Sequence, residues 1–176
     1  MEHRILIVVD MQKDFIDGSL GTAEAQHILP AAAEKIRNFD GTVLFTMDTH
    51  REDYLSTQEG KNLPVLHCIK GTDGWQITES LRGFSEKDGV RIFEKDTFAS
   101  TELAEHLCAL HKKMPITSIE LIGLCTDICV VSNALLLHAF LPEVPVFVDS
   151  SCCAGVTPQA HEAALQTMKS CQITVL

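Results

Sequence analysis

The sequence of 176 residues has no run of five basic residues, no C-x-x-C pair, and no apolar stretch approaching the ~18 residues of a membrane span. Lys and Arg number 14 against 24 Asp and Glu, a formal net charge of −10. Phosphate backbones and anionic lipid surfaces call for basic patches, so neither nucleic acid nor a membrane is an expected partner. The first residues, MEHRILIVVDMQ, run straight into an apolar segment with no cleavable signal pattern, which points to the cytoplasm. In that setting the seven cysteines read as reduced thiols, and the CC at 152–153 lacks zinc-finger spacing. Cys68, Cys108, Cys152, Cys153 and Cys171 are read as small buried hydrophobes.

What is present is a rhythm. Continuous apolar runs at 4–10 and 42–48 have the Ile and Val content of strands buried on both faces; a third strand, shorter and mixed, is expected at 89–95, and further strands at 118–124, 144–150 and 172–176. Helical stretches fall between them at 24–39, 100–113, 126–140 and 157–170. Pro30 marks the start of the regular part of the first; Ser100 or Thr101, Thr126 and Thr157 are candidate N-caps of the others. Alternating strands and helices predict one α/β domain over 1–176, a Rossmann-like parallel sheet of six strands with helices on both faces. The segment 49–88 breaks the rhythm: it is polar, rich in turn residues, and read as irregular apart from a short helix near WQITESL.

Ligands of open parallel sheets sit beyond the carboxyl ends of the strands. There the first strand delivers Asp10, the second Asp48 and His50, the third Lys95, and the fourth runs into GLCTDIC. With Thr126 as cap, Cys129 falls in a first helical turn, where free N–H groups and the helix dipole favour a thiolate. Position alone leaves catalysis and core burial both open for Cys129. An acid and a lysine beside it favour chemistry, because a charge ending a buried strand is costly unless paired or set in a cleft. Asp48, His50 and His67, with Glu59 between them, are suitable ligands for zinc, iron or manganese.

VVDMQKDF, EKDTFAS and GLCTDICV, in that order, resemble the cysteine hydrolases of the isochorismatase-like superfamily over residues 4–176. The resemblance implies an Asp-Lys-Cys triad: Asp10 as general base, Lys95 supporting the charges, Cys129 as nucleophile. It also implies a cis peptide at Leu124–Cys125 and an oxyanion hole from the N–H groups of Cys125 and Cys129. DTH and LPVLHC followed by KGTDGW look like the metal-binding nicotinamidase branch. That implies a divalent zinc, iron or manganese ion on Asp48, His50 and His67, with Glu59 matching an acidic ligand found in some members. A small amide is the implied substrate, and a homo-oligomer, dimer or tetramer, the implied assembly. Phe15 and Phe98 are the expected pocket walls. Pro64 stands where the branch usually has a ring-stacking Trp, and Trp75 lies beyond it. The alternatives are a same-fold enzyme acting on a carbamoyl, ureido or other small amide, and a thiol or metal redox sensor without turnover.

Overall fold

Strand β1 (Arg4–Val9) is buried from Ile5 onward and occupies the middle of the sheet in a computed structural model that describes residues 3–176. Its neighbours are β2 (Thr42–Asp48) and β4 (Ser118–Leu124); β3 (Arg91–Lys95) lies outside β2, and β5 (Val146–Ala154) and β6 (Thr174–Val175) lie outside β4. Every pairing is parallel, in the order β3-β2-β1-β4-β5-β6. The chain therefore reverses its direction of winding between β1 and β4, the place where open α/β sheets leave a crevice.

Side-chain alternation splits the core in two. Ile5, Ile7 and Val9 face helices α6 (Thr101–Lys113), α7 (Val131–Phe140) and α8 (Pro158–Ser170) through Leu103, Leu107, Ala134, Leu137, Leu165 and Met168. Leu6 and Val8 face the other side, against α1 (Lys13–Ile16), α2 (Ala23–His27), α3 (Leu29–Asn38) and α5 (Glu79–Ser85). This is the single doubly wound α/β unit that the alternating runs predict.

Several local expectations change. The helix expected over 24–39 is two helices joined at Ile28, because Pro30 has no N–H to continue the first ladder. The segment 49–88 is not irregular: it holds a 3₁₀ turn at Tyr54–Ser56, helix α4 (Gln58–Asn62, capped by Thr57) and α5, which begins after WQITESL is half complete. β5 is longer than 144–150 and takes Cys152 and Cys153 into the sheet, buried as expected along with Cys68. Cys171 by contrast is exposed, and Cys108 only half-buried. Ser100 and Thr157 cap α6 and α8 as expected. Thr126 does not cap: the cap of its turn is Cys125, with no side-chain hydrogen bond.

Candidate active site

Register does much of the positioning. Asp48 and Lys95 are paired residues at the ends of β2 and β3, and Gly123 of β4 lies against Val9 of β1. Gly123 has φ +117, and a Cβ there would stand 2.1 Å from the Val9 carbonyl oxygen, so only glycine lets these two strand ends meet. Just beyond them come Asp10 and the turn bearing Cys129.

These residues converge in space. Lys95 Nζ lies 2.6 Å from Asp10 Oδ2, 3.4 Å from Cys129 Sγ and 3.5 Å from Asp48 Oδ1. Asp10 is fully buried, adopts φ +48, and accepts the Thr46 hydroxyl at 2.6 Å on Oδ1. Its Oδ2 has the lysine charge beside it but no donor aligned on it in hydrogen-bond geometry.

The electrostatics correct one expectation. Cys129 does not sit on a capped first turn with an acidified thiol. Residues Thr126–Val130 form a π-helical turn whose N-cap is Cys125, with the N–H groups of Ile128 and Val130 both donating to the Cys125 carbonyl. Burial, then the Asp10 charge, push the thiol well above its usual range, and Lys95 only partly opposes them. Burial also raises Asp10, against the pull of Lys95. Lys95 itself is raised, because Asp10, Cys129 and Asp48 together outweigh its own desolvation. The lysine is therefore a fixed cation, and the resting proton stays with the acid–thiol pair.

The metal candidates form a second cluster that shares Asp48 with the first. Asp48 Oδ2 is 3.0 Å from His50 Nε2 and 3.5 Å from His67 Nε2. Glu59 Oε1 is 3.6 and 3.8 Å from the same two nitrogens. Four donors about 2.0–2.1 Å from a tetrahedral ion would stand roughly 3.4 Å apart, so the set fits a divalent cation. His67 Nδ1 donates to the Val65 carbonyl oxygen at 2.8 Å, so Nε2 is the nitrogen that faces Asp48 and would bind a metal once it has given up its own proton. Burial would raise Asp48, but the hydrogen bonds of His50 and His67 and the Lys95 charge hold it well below the carboxylate range.

Both clusters open into one cavity of about 1280 Å³. Phe15 is buried on its wall, with its ring 5.6 Å from that of His67; Phe98 stands at the mouth, 46% exposed. Cys125 lines the cavity, and the Leu124–Cys125 peptide is cis. Pro64 is exposed and outside the lining, which Leu63 joins instead. Trp75 donates to Thr49 Oγ1 at 2.9 Å and is likewise outside.

Sequence reasoning missed the residues that hold the site still. Gln12, fully buried, takes the Asp48 N–H at 2.7 Å and donates to the Asp48 carbonyl at 2.8 Å. Asp14 accepts the Cys68 N–H at 2.8 Å beside His67. Tyr54, nearly fully buried, lies with its ring 4.5 and 5.0 Å from those of His50 and His67. Asn133 ties the Cys129 carbonyl to the Phe98–Ser100 loop. The available signal was the alternation Asp10, Gln12, Asp14: polar side chains at every second position just after a buried strand.

A parallel α/β sheet carrying an acid–lysine–thiol cluster beside a candidate metal centre at its carboxyl edge defines the class as a hydrolase. The chain belongs to the isochorismatase domain family, whose model matches residues 4–176. It is 26% identical over 208 residues to a nicotinamidase of Schizosaccharomyces pombe, covering 99% of this chain and 93% of the relative. The crystal structure of a pyrazinamidase/nicotinamidase from Streptococcus mutans superposes with TM-score 0.84 at 26% identity, covering 98% of this chain and 99% of that one. A zinc complex of a pyrazinamidase from Pyrococcus horikoshii superposes with TM-score 0.82 at 26% identity, covering 99% and 98%. Among the described residues no helix is long and apolar enough to cross a membrane.

Proposed function

We propose that the protein hydrolyses the amide of nicotinamide, or of a close heteroaromatic analogue, through a Cys129 thioester. The observation that carries this reading is the contact of Lys95 with Asp10, Cys129 and Asp48 at once, which joins a protonated thiol, a base and the metal cluster in one cavity. The relatives named nicotinamidase and pyrazinamidase support the substrate class.

In this mechanism Asp10 takes the Cys129 proton as sulfur attacks the carbonyl carbon. Lys95 keeps the transient thiolate and carboxylate from repelling each other. The developing oxyanion is held by the N–H groups of Cys125 and Cys129. Asp10 returns its proton to the departing nitrogen, and ammonia leaves. Asp10 then takes a proton from water, whose oxygen attacks the thioester; the C–S bond breaks, the acid is released and the proton returns to sulfur. Asp48, His50 and His67, with Glu59 beside them, would hold a divalent ion, with zinc, iron and manganese as the candidates, and that ion would supply Lewis acidity toward a ring nitrogen. Phe15 and Phe98 flank the ring. The whole chain works as one domain, in a cytoplasmic dimer or tetramer.

One observation favours a second reading. With Pro64 exposed and Trp75 outside the cavity, the buried rings beside the metal cluster are those of Phe15 and of Tyr54, the latter packed on His50 and His67, and a carbamoyl, ureido or other small amide needs no stacked ring. Ammonia release from a panel of nicotinamide, pyrazinamide and non-aromatic amides and ureas by metal-loaded protein separates the two. Turnover of the aromatic amides alone is expected; preference for the non-aromatic compounds would move the substrate while keeping the chemistry.

A further inference from the structure

Thr126 and Asp127 stand where hydroxyl and carboxylate side chains ordinarily turn back to accept N–H groups two or three residues on, which here include that of Cys129. Neither does so. Thr126 is fully buried, and its hydroxyl has a single side-chain partner among the described residues, His161 Nδ1 at 2.8 Å. The Asp127 carboxylate instead accepts the Val156 N–H at 3.0 Å. Both partners lie just beyond β5: Val156 in the link to α8, on the cavity wall, and His161 in the first turn of that helix. Gly155 makes the approach possible, since a Cβ there would stand 2.8 Å from the His161 backbone nitrogen and 2.9 Å from Asp127 Oδ1. Within the turn, the Cys125 carbonyl takes the N–H groups of Ile128 and Val130 and skips that of Cys129 between them.

From this we infer that His161 is a positioning residue for amide hydrolysis: it draws the Thr126 hydroxyl sideways and so keeps the Cys129 N–H open for the substrate oxyanion. The inference rests on the amidase reading above. His161 touches neither substrate nor nucleophile in this account. Its effect runs through Thr126, which would otherwise fold back on the Cys129 N–H and compete with the oxyanion for one of its donors.

A purely structural role for His161 and the role inferred here predict opposite epistasis. His161→Ala is expected to lower kcat by about 10- to 100-fold, at most what losing one oxyanion donor costs. KM and the rate of Cys129 alkylation should hold, because binding and the thiol are untouched. His161→Asn, which keeps a hydrogen-bonding group near the Nδ1 position, should restore most of the rate. Adding Thr126→Val to His161→Ala should also restore it, since the competing hydroxyl is gone. A double variant no faster than His161→Ala, or a Thr126→Val protein as slow as His161→Ala, would overturn the inference. Amide hydrogen exchange at Cys129, followed by NMR, gives a reading that needs no turnover. Exchange should slow in His161→Ala and recover in the double variant, and unchanged exchange in all three would also overturn the inference. Wild-type protein inert on every amide would sink the amidase reading alone, with the exchange pattern still judging the clamp.

Discussion

Replacing Lys95 with Met removes the cation that touches Asp10, Asp48 and Cys129 together. Two unit charges 2.6 Å apart attract by about 6 kcal/mol at an effective dielectric near 20. The variant does not lose all of this, because Asp10 has an escape: it can take up a proton. Protonating a carboxyl with an ordinary pKa near 3.9 costs about 4 kcal/mol at pH 7 and about 1.5 kcal/mol at pH 5, at 1.36 kcal/mol per unit. The destabilisation is therefore capped near 4 kcal/mol at pH 7, in line with the cost of breaking a buried pair. For a chain of this size that is roughly 10 °C in Tm. The sign is set by linkage. In the variant the folded state binds a proton that the unfolded state has released, so its stability falls as pH rises above the unfolded pKa of Asp10. Thermal unfolding of both proteins at pH 5 and pH 7 reads this directly, and the gap should be much smaller at pH 5. Lys95→Met combined with Asp10→Asn should recover stability while remaining inactive. A gap that is the same at both pH values, or below about 2 °C at pH 7, would refute the reasoning.

Stripping the metal-loaded protein with a chelator should lower Tm, since a ligand at 1,000 times its Kd stabilises the folded state by about 4 kcal/mol. His50→Ala should remove both the bound metal, read by elemental analysis, and the chelator response. Gln12→Ala frees the Asp48 backbone and is expected to weaken metal binding by about 10- to 100-fold in a competition titration, as lost support of a ligand does elsewhere. Away from the site, Lys35 bridges Glu120 and Asp149 at 2.6 and 2.7 Å. Burial would raise Asp149, but hydrogen bonds from Lys35 and Ser151 hold it below its usual range. Its contribution to stability is present above the unfolded pKa and lost as pH falls through the lower folded value. Urea unfolding should accordingly show Lys35→Met weakened at pH 7, with the deficit closing toward acid.

The sheet and the chemistry at its edge were legible because they rest on contiguous signals. A buried parallel strand declares itself in one run such as RILIVV, and the charged residue that follows it, Asp10, stands out against that run; Lys95, at the end of the mixed strand RIFEK, is legible through the strand order instead. The candidate metal set was legible through residue type alone, His and Asp at short spacing with Glu59 in the same segment. What could not be read depends on contacts between distant residues. The tie of Thr126 to His161 spans 35 residues, and without it TDIC reads as an ordinary capped turn. The same holds for the thiol: the helix-dipole argument is local, whereas the burial that raises Cys129 comes from the whole doubly covered sheet. Helix α4 and the 3₁₀ turn before it were hidden in a polar stretch with no apolar period, and the site itself, through Tyr54 packed on His50 and His67, is what orders them.

The most direct test of the central claim is the intact mass of metal-loaded protein quenched in acid during turnover of nicotinamide, run beside Cys129→Ala. Wild-type protein should carry one nicotinoyl group, mapped to the peptide containing Cys129. The variant should carry none and release no ammonia, with its metal content and Tm unchanged. Ammonia release by Cys129→Ala at the wild-type rate would contradict the account.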